Sequence, residues 1–475
     1  MLHTDKPNYL AIPVILLQLV FSCPVLAYLK QAKLVASDAN ASDRLGVSVA
    51  IDGQTAVVGA YQNDSNGPDA GAAYVYEFSG SAWQQHQKLV ASDASAGDQF
   101  GRSVAIEANT IVVGAHYGDA NDPNTGSAYV FTRSGTVWNQ QQKLAALDAA
   151  TDDRFGMSVS ISGDTLVVGA YGDDRQTGAA YVFTRNDQIW TQLQKLTTSD
   201  ANTGDFFGWS AAINANIIAV GAMNDDHYNP PINTDAGTVY IFTRSGQIWS
   251  QQAILRASDA ADSDHFGCSV ALDGNFAVIG AYECDINGVP NVGAAYVFEK
   301  NYTGWVEKQK LFDADTPNNG DDFGKSVAIE GDTIFAGCVN HIVDGNQVGA
   351  VFEFTRTGQT WFQKDLLIAG DGNDDDNFGF SIAVSGQYLF SGAPYNDAAG
   401  LNSGSAYVFK NDDLTCDLDG DSDIDFADFA VFALAWLATP AQPAYNPDCD
   451  LAIPPDSLIN SLDLAVLCDF WLAGK

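Results

Sequence analysis

Over residues 28–411 apolar and polar positions alternate in short bursts and never settle into a helical period over ten residues or more. One burst places small and apolar residues alternately over 103–106, and T-I-V-V-G-A follows over 110–115 after a turn. A-Y-V-F then occupies 128–131 and W-N-Q-Q-Q-K-L occupies 138–144. Runs of four to seven residues rich in Val, Ile, Tyr, Phe and Trp, bounded by Gly, Asn and Asp, predict four strands.

The four-strand unit recurs. Its signature, F-G-x-S-V-A-I, begins at Leu45, Phe100, Phe155, Phe207, Phe266, Phe323 and Phe378. Successive signature glycines lie 55, 55, 52, 59, 57 and 55 residues apart. Self-similarity at that period with four strands per unit predicts an all-β, seven-bladed β-propeller. Six units end in a tryptophan strand, at Trp83, Trp138, Trp190, Trp249, Trp305 and Trp361. The seventh stops after A-Y-V-F at 406–409, while a spare Y-L-K-Q-A-K-L-V-A stands at 28–36. That spare segment is expected to complete the last blade and leave no open sheet edge at the seam.

These residues resemble the FG-GAP repeat of integrin α-subunit heads and of many bacterial secreted proteins. The likeness covers roughly 28–411 and recurs seven times in phase. Many integrin-type repeats carry a calcium loop, D-x-D-x-D-G-x-x-D, between the first two strands. Here that connection is short, as at Asp52-Gly53-Gln54, so blade-borne calcium is not expected there.

Both ends differ from the array. Residues 10–27 are largely apolar and end V-L-A, which suits a signal peptide spanning 1–27. No second long apolar run follows, so the remainder is expected to be exported, extracellular or cell-surface associated, and without a membrane span. At the other end, the run from Asp417 to Asp428 places carboxylates at loop positions 1, 3, 5, 9 and 12, directly before F-A-V-F-A-L-A-W-L. Such spacing gives the oxygen cage that a hard cation requires. A second copy from Asp450 to Asp463 is two residues longer, with Pro454-Pro455 inserted.

The paired loops over 412–475 resemble a type I dockerin, an EF-hand-like helical module folded by calcium that docks onto a cohesin. The resemblance implies calcium ligands at Asp417, Asp419, Asp421, Asp423 and Asp428, then Asp450, Asp456, Asn460 and Asp463. It also implies partner-reading positions at Phe426, Ala427, Ser461 and Leu462, and a cohesin-like partner.

Charge narrows the partners. The chain holds 59 acidic and 22 basic residues, a net charge of −37. Such a surface repels nucleic acid and anionic membranes and favours cations or basic partners. Strand order puts the crossover aspartates (Asp38/Asp43, Asp93/Asp98, Asp148/Asp153, Asp200/Asp205, Asp259/Asp264) on one face with Asp119, Asp173, Asp174, Asp225, Asp226 and Asp285. Arg133, Arg185, Arg244, Lys300 and Arg356 fall on the other. The variable acidic face is where a glycan or protein ligand is expected, although turn capping accounts for most crossover aspartates.

Catalytic signals cancel. The six histidines are scattered and no H-E-x-x-H occurs. Residues 320–326 resemble the end of a phosphate loop, but positions equivalent to Lys325 hold Val, Arg, Met, Trp, Cys and Phe, so the match reads as a coincidence of the repeat. The repeated Ser, as at Ser103, begins a strand without the second Gly of a nucleophile elbow. The six phased tryptophans read as inter-blade packing rather than a sugar platform. A non-catalytic binding or scaffold role is therefore expected, with a polysaccharide-degrading enzyme and a cell-surface adhesin as the alternatives. Past the signal segment six cysteines remain, an odd number in each part, and their connectivity is not legible.

Overall fold

The computed structural model describes residues 28–119, 122–226 and 234–411. The proposed signal segment, the calcium-loop residues 417–463 and the partner-reading residues all lie outside them. The described residues form seven four-stranded antiparallel sheets, the blades of a β-propeller. Blade 2 is representative: Phe100–Glu107 is innermost, followed outward by Thr110–Ala115, Ser127–Ser134 and Val137–Leu144.

The innermost strand begins earlier than its alternation suggests. Phe100 already pairs with Ala115, and the register then slips before Ser103 pairs with Gly114. Gly101 sits at φ 94° inside this bulge, a conformation that costs glycine little and other residues much. A Cβ on Gly101 would lie 2.2 Å from the Ala72 carbonyl oxygen, and one on Gly59 would lie 2.0 Å from the Gly101 oxygen. Both glycines are thus set by close backbone approach between adjacent blades.

Tyr28–Leu34 pairs antiparallel with Ser405–Asn411 and is the outer strand of the seventh sheet. Lys30 and Lys33 bind Asp371 at 2.7 and 3.0 Å, and Leu45 bridges to Gly404 across the seam.

Repetition also fixes the contacts between blades. In all seven repeats the signature serine hydroxyl donates to the next blade's signature glycine carbonyl at 2.7–3.0 Å. Four glutamines (Gln87, Gln142, Gln194, Gln309) clamp the backbone N–H and C=O of the tryptophan one blade on. The tryptophan rings are buried at Trp83, Trp138, Trp190, Trp249 and Trp361, so they are packing residues. Phe100 is buried against Tyr129 and Phe131 at centroid distances of 5.5 and 6.0 Å. Removing such a ring costs about 3–5 kcal/mol.

Among the described residues the only helix is one turn, Asp173–Gln176, and no helix is long and apolar enough to cross a membrane. Cys268, Cys284 and Cys338 form no disulfide among the described residues. The short connections between first and second strands are tight turns, and their carboxylates tie neighbouring blades together. Asp52 accepts from the Ala108 N–H, and Asp273 from the Gly331 N–H at 2.7 Å.

Candidate ligand site at the axial mouth

The bulge that begins five of the inner strands, and the residue just before the other two, carry the variable position of F-G-x-S towards the propeller axis. Val47, Arg102, Met157, Trp209, Cys268, Lys325 and Phe380, one from each repeat, line a single cavity of about 240 Å³ together with Met223 and Tyr282. Inner-strand residues including Val49, Val104, Val159 and Val327 wall a separate cavity of about 260 Å³. Framework positions build the ring, and the position that varies between repeats furnishes its mouth.

A second ring precedes the signature. Arg44, Gln99, Arg154, Phe206, His265, Asp322 and Asn377 all adopt left-handed φ values between 54° and 60°. The conformation costs a non-glycine residue about 1–3 kcal/mol each. It is imposed by the preceding blade, whose loop carbonyls take the backbone N–H, as Asp69 does from Gln99 at 3.0 Å. A third ring follows the G-A pair and includes Tyr61, His116, Tyr171 and Tyr282.

These rings bring cations onto aromatic faces. The Arg44 guanidinium lies 3.8 Å from the Tyr395 ring centroid, and Lys325 Nζ lies 3.7 Å from that of Tyr282. Arg154 donates to the Tyr117 and Tyr171 hydroxyls at 2.8 and 2.7 Å. Phe206 stacks on Trp209, with Tyr171 edge-on to both. The side chains of Arg44, Arg102 and Lys325 make no ion pair with any described residue, in a chain of net charge −37. Arg44 Nε and Nη1 are buried without a hydrogen-bond partner.

Around His116 and Tyr61 the local field is positive, whereas Glu283 and Asp322 stand beside Tyr282 and Lys325. Burial, and then the charges of Arg102 and Arg154, push His116 well below the ordinary imidazole value, so it stays neutral. Burial lowers Arg102 from its usual value. Burial raises Tyr61, although Arg44 and Arg102 act against it. Unpaired cations in a partly dry, aromatic-walled mouth favour an anion with some apolar body.

The crossover aspartates cap their own loops, as the turn-capping reading expects. In all seven crossovers the second carboxylate accepts the backbone N–H three residues upstream at 2.6–2.8 Å. Several first carboxylates pair with lysines. Lys88 holds Asp38 at 2.6 Å, Lys143 holds Asp93 at 2.6 Å, and Lys310 holds Asp259 at 2.7 Å. Burial would push Asp38 up, but Lys88 and the Tyr74 hydroxyl hold it below its usual value. Asp173 and Asp225 are buried on the hydroxyls of Tyr181 and Tyr240.

The opposite face is partly stitched shut. Arg133 pairs with Glu77, Arg185 with Asp164, and Arg356 with Asp332. The sequence pointed to the acidic face for a glycan or protein ligand, and Lys325 with its six equivalents read as a coincidence of the repeat. Their variability inside an otherwise repeated phrase was the available signal.

With this geometry established, comparison with known proteins gives the class. The chain belongs to the FG-GAP repeat family, whose model matches residues 28–76, 83–131, 138–183, 190–242, 249–298, 305–354 and 361–409. Each match begins at an outer strand and ends at the third strand of the next blade, so the first begins on the seam strand. No curated protein matches the chain. A chain in the crystal structure of the mitotic checkpoint complex is similar at 14% identity and TM-score 0.50, covering 87% of this chain and 98% of that one. Sqt1 of Saccharomyces cerevisiae is similar at 11% identity and TM-score 0.45, covering 81% and 99%. The first of these likenesses is one of fold.

Proposed function

We propose that this is an exported, non-catalytic binding or scaffold protein whose propeller captures an anionic ligand at the axial mouth. The observation that carries the proposal is the convergence of the seven variable signature residues on one cavity that holds unpaired cations among aromatic rings. A carboxylate or sulfate on a sugar or peptide fits this chemistry. The ring planes would cover its apolar face, and Arg44, Arg102 and Lys325 would take its charge. The test is binding of the full chain to polygalacturonate and to a neutral polysaccharide of matched size at two salt concentrations. Salt-sensitive binding of the uronate polymer alone supports the proposal. Equal binding of the neutral polymer would contradict it.

The tail completes the proposed role. Calcium held by Asp417, Asp419, Asp421, Asp423 and Asp428, and by Asp450, Asp456, Asn460 and Asp463, would fold residues 412–475. Phe426, Ala427, Ser461 and Leu462 would then meet a cohesin-like partner. Support comes from the acidic spacing and the matched apolar segments after each loop. Because the described propeller is nearly helix-free, helical circular dichroism of the full chain reports on the tail. It should fall when calcium is chelated, and an unchanged signal would contradict the module.

A further inference from the structure

Blade 6 breaks the repeat at one buried place. Six blades end the second strand with alanine (Ala60, Ala115, Ala170, Ala222, Ala281, Ala393), and blade 6 has Cys338. Three residues later, blades 1 and 7 carry Asn63 and Asn396, whose amides donate to the crossover carboxylates of Asp43 and Asp376 at 2.9 and 2.6 Å. Blade 6 has His341 there instead. The two substitutions face the crossover carboxylate of Asp321, and one donor atom from each of Asp321, Cys338 and His341 lies within 4.8 Å of the others. All three residues are at most 3% exposed.

The asparagine bond of the sister blades is not replaced in kind. His341 Nδ1 is buried without a hydrogen-bond partner. A second buried carboxylate, Asp313 Oδ2, stands 3.6 Å from it. Asp313 stands two residues after Leu311, where the crossover into blade 2 has Ala91, and the crossover into blade 6 is one residue longer. A thiol, an imidazole and two carboxylates thus converge where the sister repeats place alanine and asparagine.

We propose that Asp321, Cys338 and His341, with Asp313 beside the ring, form a buried site for a divalent transition cation of zinc type. One sulfur, one nitrogen and oxygen donors form a mixed set that suits zinc and disfavours calcium or magnesium, which take oxygen alone. Tetrahedral zinc with bonds of about 2.0–2.3 Å needs its ligand atoms about 3.3–3.8 Å apart, so the cluster closes by roughly an ångström around the ion. Binding releases the thiol proton to solvent and leaves a zinc–thiolate bond. The site is independent of the axial mouth and of the tail loops, and it would pin the blade 6 crossover to its second strand.

The test is titration of the full chain with cobalt(II), whose thiolate complex absorbs where the metal-free protein does not. The variants restore sister residues, so folding is protected: Cys338→Ala supplies the alanine of six blades and His341→Asn the asparagine of two. The wild type should show a thiolate–cobalt band that added zinc displaces. Both variants should lose the band, and Cys284→Asn should keep it. No band in the wild type, or a band surviving Cys338→Ala, would overturn the site.

Discussion

The hydroxyl of Ser381 donates to the carbonyl of Gly46 at 2.8 Å across 335 residues of sequence. The same bond joins every other pair of adjacent blades, so the seam is chemically equivalent to the six internal junctions. What differs is chain connectivity, since the seventh sheet takes its outer strand from the opposite end of the chain.

Deleting residues 28–36 should therefore expose the edge of Ser405–Asn411 and release Asp371 from both its lysines. Unpaired edges template association, so the variant is expected to elute as oligomers and to unfold at lower urea. Ser381→Ala should cost only about 1 kcal/mol, the net worth of one hydrogen bond. A deletion variant that stays monomeric with an unchanged urea midpoint would contradict the closure.

The glycines should separate sharply by environment. Gly59→Ala drives a Cβ into the Gly101 carbonyl, whereas Gly135, at φ 63°, faces open space with no atom within 4 Å of where a Cβ would stand. We expect Gly59→Ala to lose at least about 3 kcal/mol and Gly135→Asn to lose less than about 1 kcal/mol, as read by urea unfolding.

The repeat, the strand order and the closing segment were legible because they rest on local alternation and on comparison among sister repeats. The role of individual acids was less so. Asp173 and Asp174 are adjacent and chemically identical in sequence, yet Asp173 is buried on Tyr181 and Lys195 while Asp174 is exposed. The loop's single helical turn makes that distinction, and no periodicity announces it. The axial mouth was hidden for a related reason, because its residues stand 52 to 59 positions apart and meet only when the ring closes.

Crossover acids should accordingly behave as structural groups. Asp98→Ala leaves the Ser95 N–H without its acceptor and should cost about 1–3 kcal/mol. Asp174→Asn, at an exposed position, should change stability by less than about 0.5 kcal/mol. Equal effects in thermal unfolding would show that the crossover carboxylates are solvated surface charges.

Stability should depend on pH in two opposed windows. Burial, reinforced by the charges of Asp225, Asp226 and Asp200, lifts Asp205 to about 7 against the hydrogen bond from Asn202. Burial likewise lifts Asp153 and Asp264 to about 6. These groups bind more protons folded than unfolded, so stability falls as pH rises from about 4 to about 7. Asp38, Asp93, Asp148 and Asp259 stand below 3.8 despite burial, because lysines hold them. Their contribution is present above 3.8 and lost as pH falls below it. Urea midpoints measured from pH 2 to 8 should peak near pH 4, and Asp205→Asn should flatten the decline on the neutral side. A midpoint rising steadily to pH 7 would contradict these environments.

The central claim is that the axial mouth is the binding surface, and calorimetric titration of one variant tests it most directly. Arg102→Val and Lys325→Val place at two blades the residue that blade 1 already carries at Val47, so the ring should fold unchanged. Paired with wild type, the double variant should bind a uronate oligosaccharide at least about tenfold more weakly, a loss of about 1.4 kcal/mol for two charge-assisted contacts. Replacing the peripheral Asp174 and Asp226 with asparagine should leave affinity unchanged. Full affinity in the double variant, with loss on neutralising the peripheral acids, would move the site off the axis and contradict the account.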